Sequence, residues 1–132
     1  MWGQKKHKYG AKKTTVNGKT FPSKLEGALY QKLLDMEQLG HISELREQHS
    51  VRLKDKCEHC GSAAVAWKVD FSFTDVNGEL RFAEAKGAED ASYKRRKKLW
   101  LEYGPAPCDI WKGSARYLQI TETLMPKKQL LD

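Results

Sequence analysis

Apolar and polar positions along this chain follow two rhythms, and the switch between them marks its elements. Leu25, Leu29, Leu33 and Met36 recur at the spacing of one helical face, opened by Pro22 and Ser23 and closed by Gly40 after Leu39. From Ile42 to Lys54 the pattern turns extended, with Val51 and Leu53 alternating against Arg52 and Lys54, as expected of a first sheet strand. A polar connection from Asp55 to Ser62 leads into a long strand, Ala64 to Val76. Alternation there puts Val65, Trp67, Val69, Phe71 and Phe73 on one side and Asp70 on the other.

Asn77-Gly78 is a two-residue hairpin signal, so Leu80 to Lys86 returns antiparallel. With that pair at the turn centre, Val76 opposes Glu79 and Asp70 lies opposite Ala85. A second helix spans Ser92 to Tyr103, with Tyr93 and Trp100 packing inward, and Gly104-Pro105 ends it. Cys108 to Lys112, parallel to the third strand, and Arg116 to Thr121 read as final strands, and Pro126-Lys127-Lys128 as a tail. Ahead of the first helix, a small hairpin joins Thr14-Thr15-Val16 to Lys19-Thr20-Phe21 through Asn17-Gly18. The order of helix, three strands, helix and strand predicts an α/β (α+β) layer arrangement, with an arm over 1–22 and a single domain over 23–132.

Two acids and a lysine interrupt the apolar strands, in Val69-Asp70-Phe71-Ser72-Phe73 and Phe82-Ala83-Glu84-Ala85-Lys86-Gly87. Charges resist burial unless they pair, hold a metal or lose their charge. Glu84 and Lys86 share a strand face, whereas Asp70 needs a twist, a bulge or a frayed register to join them. Asp70 and Glu84 offer the hard oxygens that Mg²⁺ prefers, and the carbonyl of Ala85 is a further candidate ligand. Lys86 can orient or deprotonate a water and balance developing charge, which suits hydrolysis of a phosphodiester. The same residues also fit a structural reading, an Asp70 to Lys86 ion pair with Glu84 as a surface acid.

Length and a hydrophobic content of 39% over 132 residues fit one compact domain. No window has the apolar length of a membrane span, and the start at Met1-Trp2-Gly3-Gln4 lacks a secretory apolar stretch, so a cytosolic location is expected. The net charge of +7 lies at one end. Residues 1–24 hold Lys5, Lys6, Lys8, Lys12, Lys13, Lys19 and Lys24 and no acid, which leaves 17 basic and 17 acidic residues in the remainder. Such a segment suits phosphate contacts or serves only as a solvated tail. A second basic run, Lys94-Arg95-Arg96-Lys97-Lys98, opens the second helix, where the helix dipole also favours anions. Lys94, Lys97 and Lys98 are its candidate DNA contacts.

The ordered residues resemble the PD-(D/E)xK nuclease superfamily: Asp70, then Glu84-Ala85-Lys86, preceded by a helix containing Glu26. Lys8-Tyr9-Gly10-Ala11-Lys12-Lys13, Gly18-Lys19-Thr20-Phe21, Ser23-Lys24-Leu25-Glu26, Gly40-His41-Ile42 and Glu47-Gln48 are similar to small phage-encoded members and to the endonuclease domain of Tn7-type transposases. The likeness spans about residues 8–103. It implies a restriction-endonuclease-like core, a mixed four- to five-stranded sheet flanked by helices in αβββαβ order. It further implies Glu26 as an outer metal ligand, Asp70 and Glu84 as central ligands, Lys86 as the catalytic lysine and Gln48 beside the site. Val69 stands where the superfamily name has proline. Glu26 has a competing role, since Ser23-x-x-Glu26 is a capping box.

Three cysteines fit reduced thiols or a metal site better than a disulfide framework. Cys57-Glu58-His59-Cys60-Gly61 looks like half of a zinc knuckle without a second half, since Cys108, His41 and His49 are expected at the far sheet end. Zinc there would need His59, a loop contact or ligands from a second subunit; reduced cysteines are the alternative.

The expected function is that of a Mg²⁺-dependent DNA endonuclease, with Mn²⁺ as a substitute, leaving 5′-phosphate and 3′-hydroxyl ends. Branched or recombination intermediates are candidate substrates for such a phage-type enzyme acting in a bacterial cytosol, as a monomer or a homodimer. The alternatives are a DNA-binding protein on an inactive nuclease scaffold and a zinc-knuckle interaction module.

Overall fold

The computed structural model describes residues 13–130, with the side chains of 129 and 130 excepted. Its elements are β1 (Thr14–Val16), β2 (Lys19–Phe21), α1 (Lys24–Gln38), β3 (Ser43–Lys54), β4 (Val65–Thr74), β5 (Leu80–Ala85), α2 (Ala91–Tyr103), β6 (Cys108–Gly113), β7 (Leu118–Leu124) and α3 (Lys127–Leu130). Five strands form a mixed sheet in the order β3-β4-β5-β6-β7, with β5 and β6 parallel through the α2 crossover and the other pairs antiparallel. The last strand lies a few residues beyond the expected Arg116 to Thr121, and the expected tail contains the short helix α3.

α1 begins where expected because the Ser23 hydroxyl accepts the Glu26 amide at 3.1 Å. It ends at Gly40, whose φ of 80° suits glycine, with the Gly40 and His41 amides turned back onto carbonyls of the last turn. Leu29 and Leu33 are fully buried, and Leu25 and Met36 pack beside them. The hairpin β1–β2, turned at Asn17 and Gly18 with positive φ, lies on this helix. Gly27 permits that approach, since a Cβ there would collide with the Thr14 side chain. Phe21 is buried against Tyr30 and Phe71, with ring centroids 4.9 and 6.1 Å away. Residues 14–21 of the expected arm therefore pack onto the domain body.

Two apolar clusters occupy opposite faces of the sheet. Successive residues show this: Phe82 and Ile110 join the cluster under α2, Ala83 and Trp111 the one under α1. β5 and β6 thus alternate regularly, whereas β4 does not. Trp67 and Val69 lie under α2, but Phe71 and Phe73 lie under α1, so the expected single face of five apolar residues is divided and the pleat changes phase at Asp70. β3 changes phase at the same level. Leu45 packs toward α1 and Val51 toward α2, with Gln48 between them at φ 53°. A non-glycine residue in that region costs on the order of 1 kcal/mol.

The hairpin register also departs from expectation. Val76-Asn77-Gly78 forms a three-residue loop: Gly78 N donates to the Asp75 carbonyl at 3.0 Å, and Asp75 N to the Glu79 carbonyl at 2.8 Å. Gly78, at φ 79°, is the bulge residue. The Asp75 carboxylate selects this loop by accepting the amides of Asn77 and Glu79. Phe71 consequently pairs with Ala83, which brings Asp70 level with Glu84 rather than Ala85.

Candidate active site

β4 and β5 part just where the acids stand. Their ladder ends at Phe71 and Ala83, and the next inward amide, Ala85 N, donates to the Asp70 side chain at 3.0 Å. Lys86 N turns instead to the Trp111 carbonyl of β6, at 2.9 Å. The break in alternation places the Asp70 carboxylate between the layers, in reach of Glu26 from α1 and of Glu84 from β5. The three acids are 8%, 8% and 7% exposed for Glu26, Asp70 and Glu84 respectively.

Burial is the main cause of the electrostatics in all three. It pushes Asp70 up to about 8, with Glu84 adding like-charge repulsion. Burial and then Asp70 push Glu26 to about 8, and burial raises Glu84 as well. Ionising all three at neutral pH is therefore costly unless a cation compensates their charge.

Glu26 forms only half of the expected capping box. Ser23 caps the helix, but no bond returns from the Glu26 carboxylate to the Ser23 amide, and Glu26 Oε2 is buried with no hydrogen-bond partner. An orphaned buried oxygen beside two more carboxylates fits a hard divalent cation such as Mg²⁺ or Mn²⁺. Among the described residues no three ligating side chains already stand in coordination geometry. Asp70 and Glu84 each spend an oxygen on a protein donor, Ala85 N and Trp67 Nε1, which leaves the second oxygen of each carboxylate for a cation.

Lys86 follows Glu84 on the α2 face, with its ammonium 4.7 Å from the Tyr93 ring centroid. No ion pair within the described residues holds it. Gln48 sits on β3 level with Asp70, between the pairs Glu47 with Phe71 and His49 with Val69, and its side chain is exposed. Of the basic candidates, Lys94 and Lys98 are exposed on α2, whereas Lys97 is paired with Glu122 at 2.7 Å. The N-terminus of α2 is taken by Asp90, which accepts Tyr93 N at 2.8 Å, so the anion position expected there is filled by the chain itself. Lys13 is exposed; Lys5, Lys6, Lys8 and Lys12 lie outside the described residues.

In the sequence Trp67 reads as one of the apolar core positions of its strand. Its indole N–H donates to Glu84 Oε2 at 2.6 Å, while its ring packs edge-on to Tyr93 and Trp100 and lies under the Arg96 guanidinium. Its apolar position hid that polar handle. Trp67→Phe keeps an aromatic ring but removes the donor and shrinks a buried side chain, so it should weaken divalent-cation affinity about 10-fold and lower the melting midpoint while preserving the fold. Calorimetry and circular dichroism check the two halves of that expectation. Glu47, named above only as part of the resemblance, adds to the rise of Glu26 and pairs with Lys19. The fourth buried acid, Asp109, is satisfied by Arg81 at 2.8 Å and Thr123 at 2.7 Å and takes no part.

The cysteines divide. Cys57 and Cys60 meet in a knuckle in which Cys60 N approaches Cys57 Sγ at 3.5 Å and Gly61 takes φ 76°. Hydrogen bonding to Ser62 lowers Cys60 to about 7. Cys108 is buried under α2, and among the described residues no further ligand joins the knuckle pair. No helix in the described residues is long and apolar enough to cross a membrane.

No curated protein and no solved structure matches this sequence. Residues 6–122 match the family described as Protein of unknown function (DUF1064), a span that includes Glu26, Asp70, Glu84, Lys86 and both helices that frame them; the chain belongs to that family.

Proposed function

We propose that this protein is a divalent-metal-dependent DNA endonuclease. The observation that carries the reading is the convergence of three buried acids, Glu26, Asp70 and Glu84, at the point where two strands part, with Lys86 beside them. Asp70 and Glu84 would hold Mg²⁺, with Glu26 bound directly or through water and the Ala85 carbonyl as a further ligand. The ion would supply a polarised phosphoryl oxygen and a more acidic water. Trp67 fixes the orientation of Glu84 through its indole N–H. The Ala85 amide does the same for Asp70. Lys86 orients or deprotonates the attacking water and offsets charge on the phosphoryl group, and its seat on Tyr93 limits its freedom. The resemblance to PD-(D/E)xK enzymes agrees and adds the expected 5′-phosphate and 3′-hydroxyl ends.

Incubating labelled linear, flapped and four-way DNA with the protein in Mg²⁺ and in Ca²⁺ tests the proposal. Cleavage in Mg²⁺ but not Ca²⁺ is expected; no cleavage of any substrate in Mg²⁺ or Mn²⁺ would reduce the protein to a DNA-binding scaffold. Removal of residues 1–13 takes away Lys5, Lys6, Lys8, Lys12 and Lys13. Its expected effect is weaker DNA binding with a shallower salt dependence, and an unchanged salt slope would make this segment a mere tail.

A further inference from the structure

β3 and β4 outrun the rest of the sheet. β5 ends at Ala85, whereas β3 and β4 stay paired beyond that level through Ser50 with Lys68, Val51 with Trp67, Arg52 with Ala66 and Lys54 with Val65. One face of this ribbon is filled, since Val51, Leu53 and Trp67 are buried in the cluster under α2. The other face presents Ser50, Arg52, Ala66 and Lys68, all exposed. α1 and the β1–β2 hairpin pack farther along the sheet, where Leu45 belongs to the α1 cluster and Glu47 meets Lys19.

The chemistry of this shelf limits what covers it. Its largest apolar side chain is Ala66, so it offers little hydrophobic area to a second protein chain. It carries no aromatic ring on which a single strand could stack its bases. What it offers is cationic: Lys68 makes no ion pair among the described residues, and Arg52 has only a loose 3.5 Å contact with the highly exposed Asp55. The row of exposed positions runs directly into Asp70. At roughly 3.3 Å per residue, Lys68 stands ~7 Å from Asp70 along the strand and Arg52, level with Ala66, ~13 Å.

We propose that this uncovered face of the β3–β4 ribbon seats the sugar-phosphate backbone of duplex DNA on one side of the scissile bond. The inference rests on the nuclease reading of the neighbouring acids and gives that site a substrate form and a polarity. With about 3.4 Å of axial rise per nucleotide, Lys68 and Arg52 engage phosphates within roughly two to four nucleotides of the cut. The contacts are to backbone and not to base edges, so they position DNA without reading its sequence. Flanking duplex is needed on the shelf side and matters less on the other.

The test is the salt dependence of binding to a short labelled duplex, read by fluorescence anisotropy in Ca²⁺ so that binding is independent of cleavage. The double variant Arg52→Ala/Lys68→Ala should bind about 10-fold more weakly than wild type, with a log K against log salt slope shallower by about 2. Lys32→Ala, an exposed cation on α1, should leave the slope unchanged and serves as the charge control. Both changes are at exposed positions, and equal melting midpoints verify the fold. A double variant with the wild-type slope overturns the proposal. So does a double variant that changes only the sedimentation behaviour of the free protein, which would make the face a contact between copies. A changed slope in a protein that cuts no DNA supports the shelf and overturns the catalytic reading instead, so the two failures are distinguishable.

Discussion

Lys86→Ala is expected to abolish DNA cleavage, lowering the single-turnover rate by at least ~100-fold while leaving DNA binding and the fold intact. General acid and base groups contribute about 10²–10⁴-fold, and a cation at the scissile phosphate adds electrostatic stabilisation to that. Lys86 directly follows β5, on the face that carries Glu84, and no carboxylate holds it in an ion pair among the described residues. Arg81, the other cation of this segment, is committed to Asp109. Loss of the Lys86 side chain costs little packing, because its contact is the face of Tyr93, which is itself buried by the α2 cluster. A variant that cuts at the wild-type rate would remove Lys86 from the chemistry. A variant that fails to fold would show instead that the Tyr93 contact is structural. Single-turnover cleavage and thermal melting separate these outcomes.

Asp70→Asn is expected to destroy function and stabilise the metal-free protein. Folding raises Asp70 from 3.8 to about 8 and Glu26 from 4.5 to about 8, because burial disfavours their charged forms. Between these limits the folded state binds more protons than the unfolded state, so stability falls as pH rises. The contribution of each acid is fully present below about pH 4 and lost as pH climbs through about 8. The metal-free wild type should therefore melt lower at pH 9 than at pH 5, by on the order of 10 °C. The substituted amide would keep an oxygen for Ala85 N and remove one of the mutually repelling charges. The melting midpoint of Asp70→Asn should exceed that of wild type at pH 8 by ~5 °C and change less with pH. Saturating Mg²⁺ should restore the wild type at high pH and do little for the variant. Thermal melting across pH with and without Mg²⁺ reads all of this, and a wild type more stable at pH 9 than at pH 5 without metal would contradict it.

The elements were legible because their signals are local. Leu25, Leu29 and Leu33 fix the α1 face whatever surrounds it, and Ser23, Gly40 and the Asn17-Gly18 turn act within a few residues. The parallel return of β6 follows from a helix lying between it and β5. The approach of Asp70 to Glu84 was not legible, because two events set it. The Asp75 carboxylate lengthens the Asn77-Gly78 loop by one residue, and that choice depends on side-chain bonds that a dipeptide signal omits. The change of phase at Asp70 depends on β3 breaking at Gln48, a partner on another strand and far away in sequence. Strand periodicity assumes an unbroken pleat, so it assigned Trp67 and Phe71 to one face and left Asp70 behind them. The spacing of Glu26 points to a cap and the resemblance to a ligand, and its orphaned, buried carboxylate oxygen is invisible to both signals. The role of Trp67 required knowing that its face and that of Glu84 coincide.

Binding of Mn²⁺ to the metal-free protein tests most directly the proposal that Glu26, Asp70 and Glu84 share one cation. Calorimetric titration at pH 7 in buffers of different ionisation enthalpy should show saturable binding that releases roughly one to two protons per ion, since Glu26 and Asp70 are held near 8 before the metal arrives. Asp70→Asn should abolish that binding. Absence of saturable binding in the wild type, or binding that Asp70→Asn leaves unchanged, would contradict it.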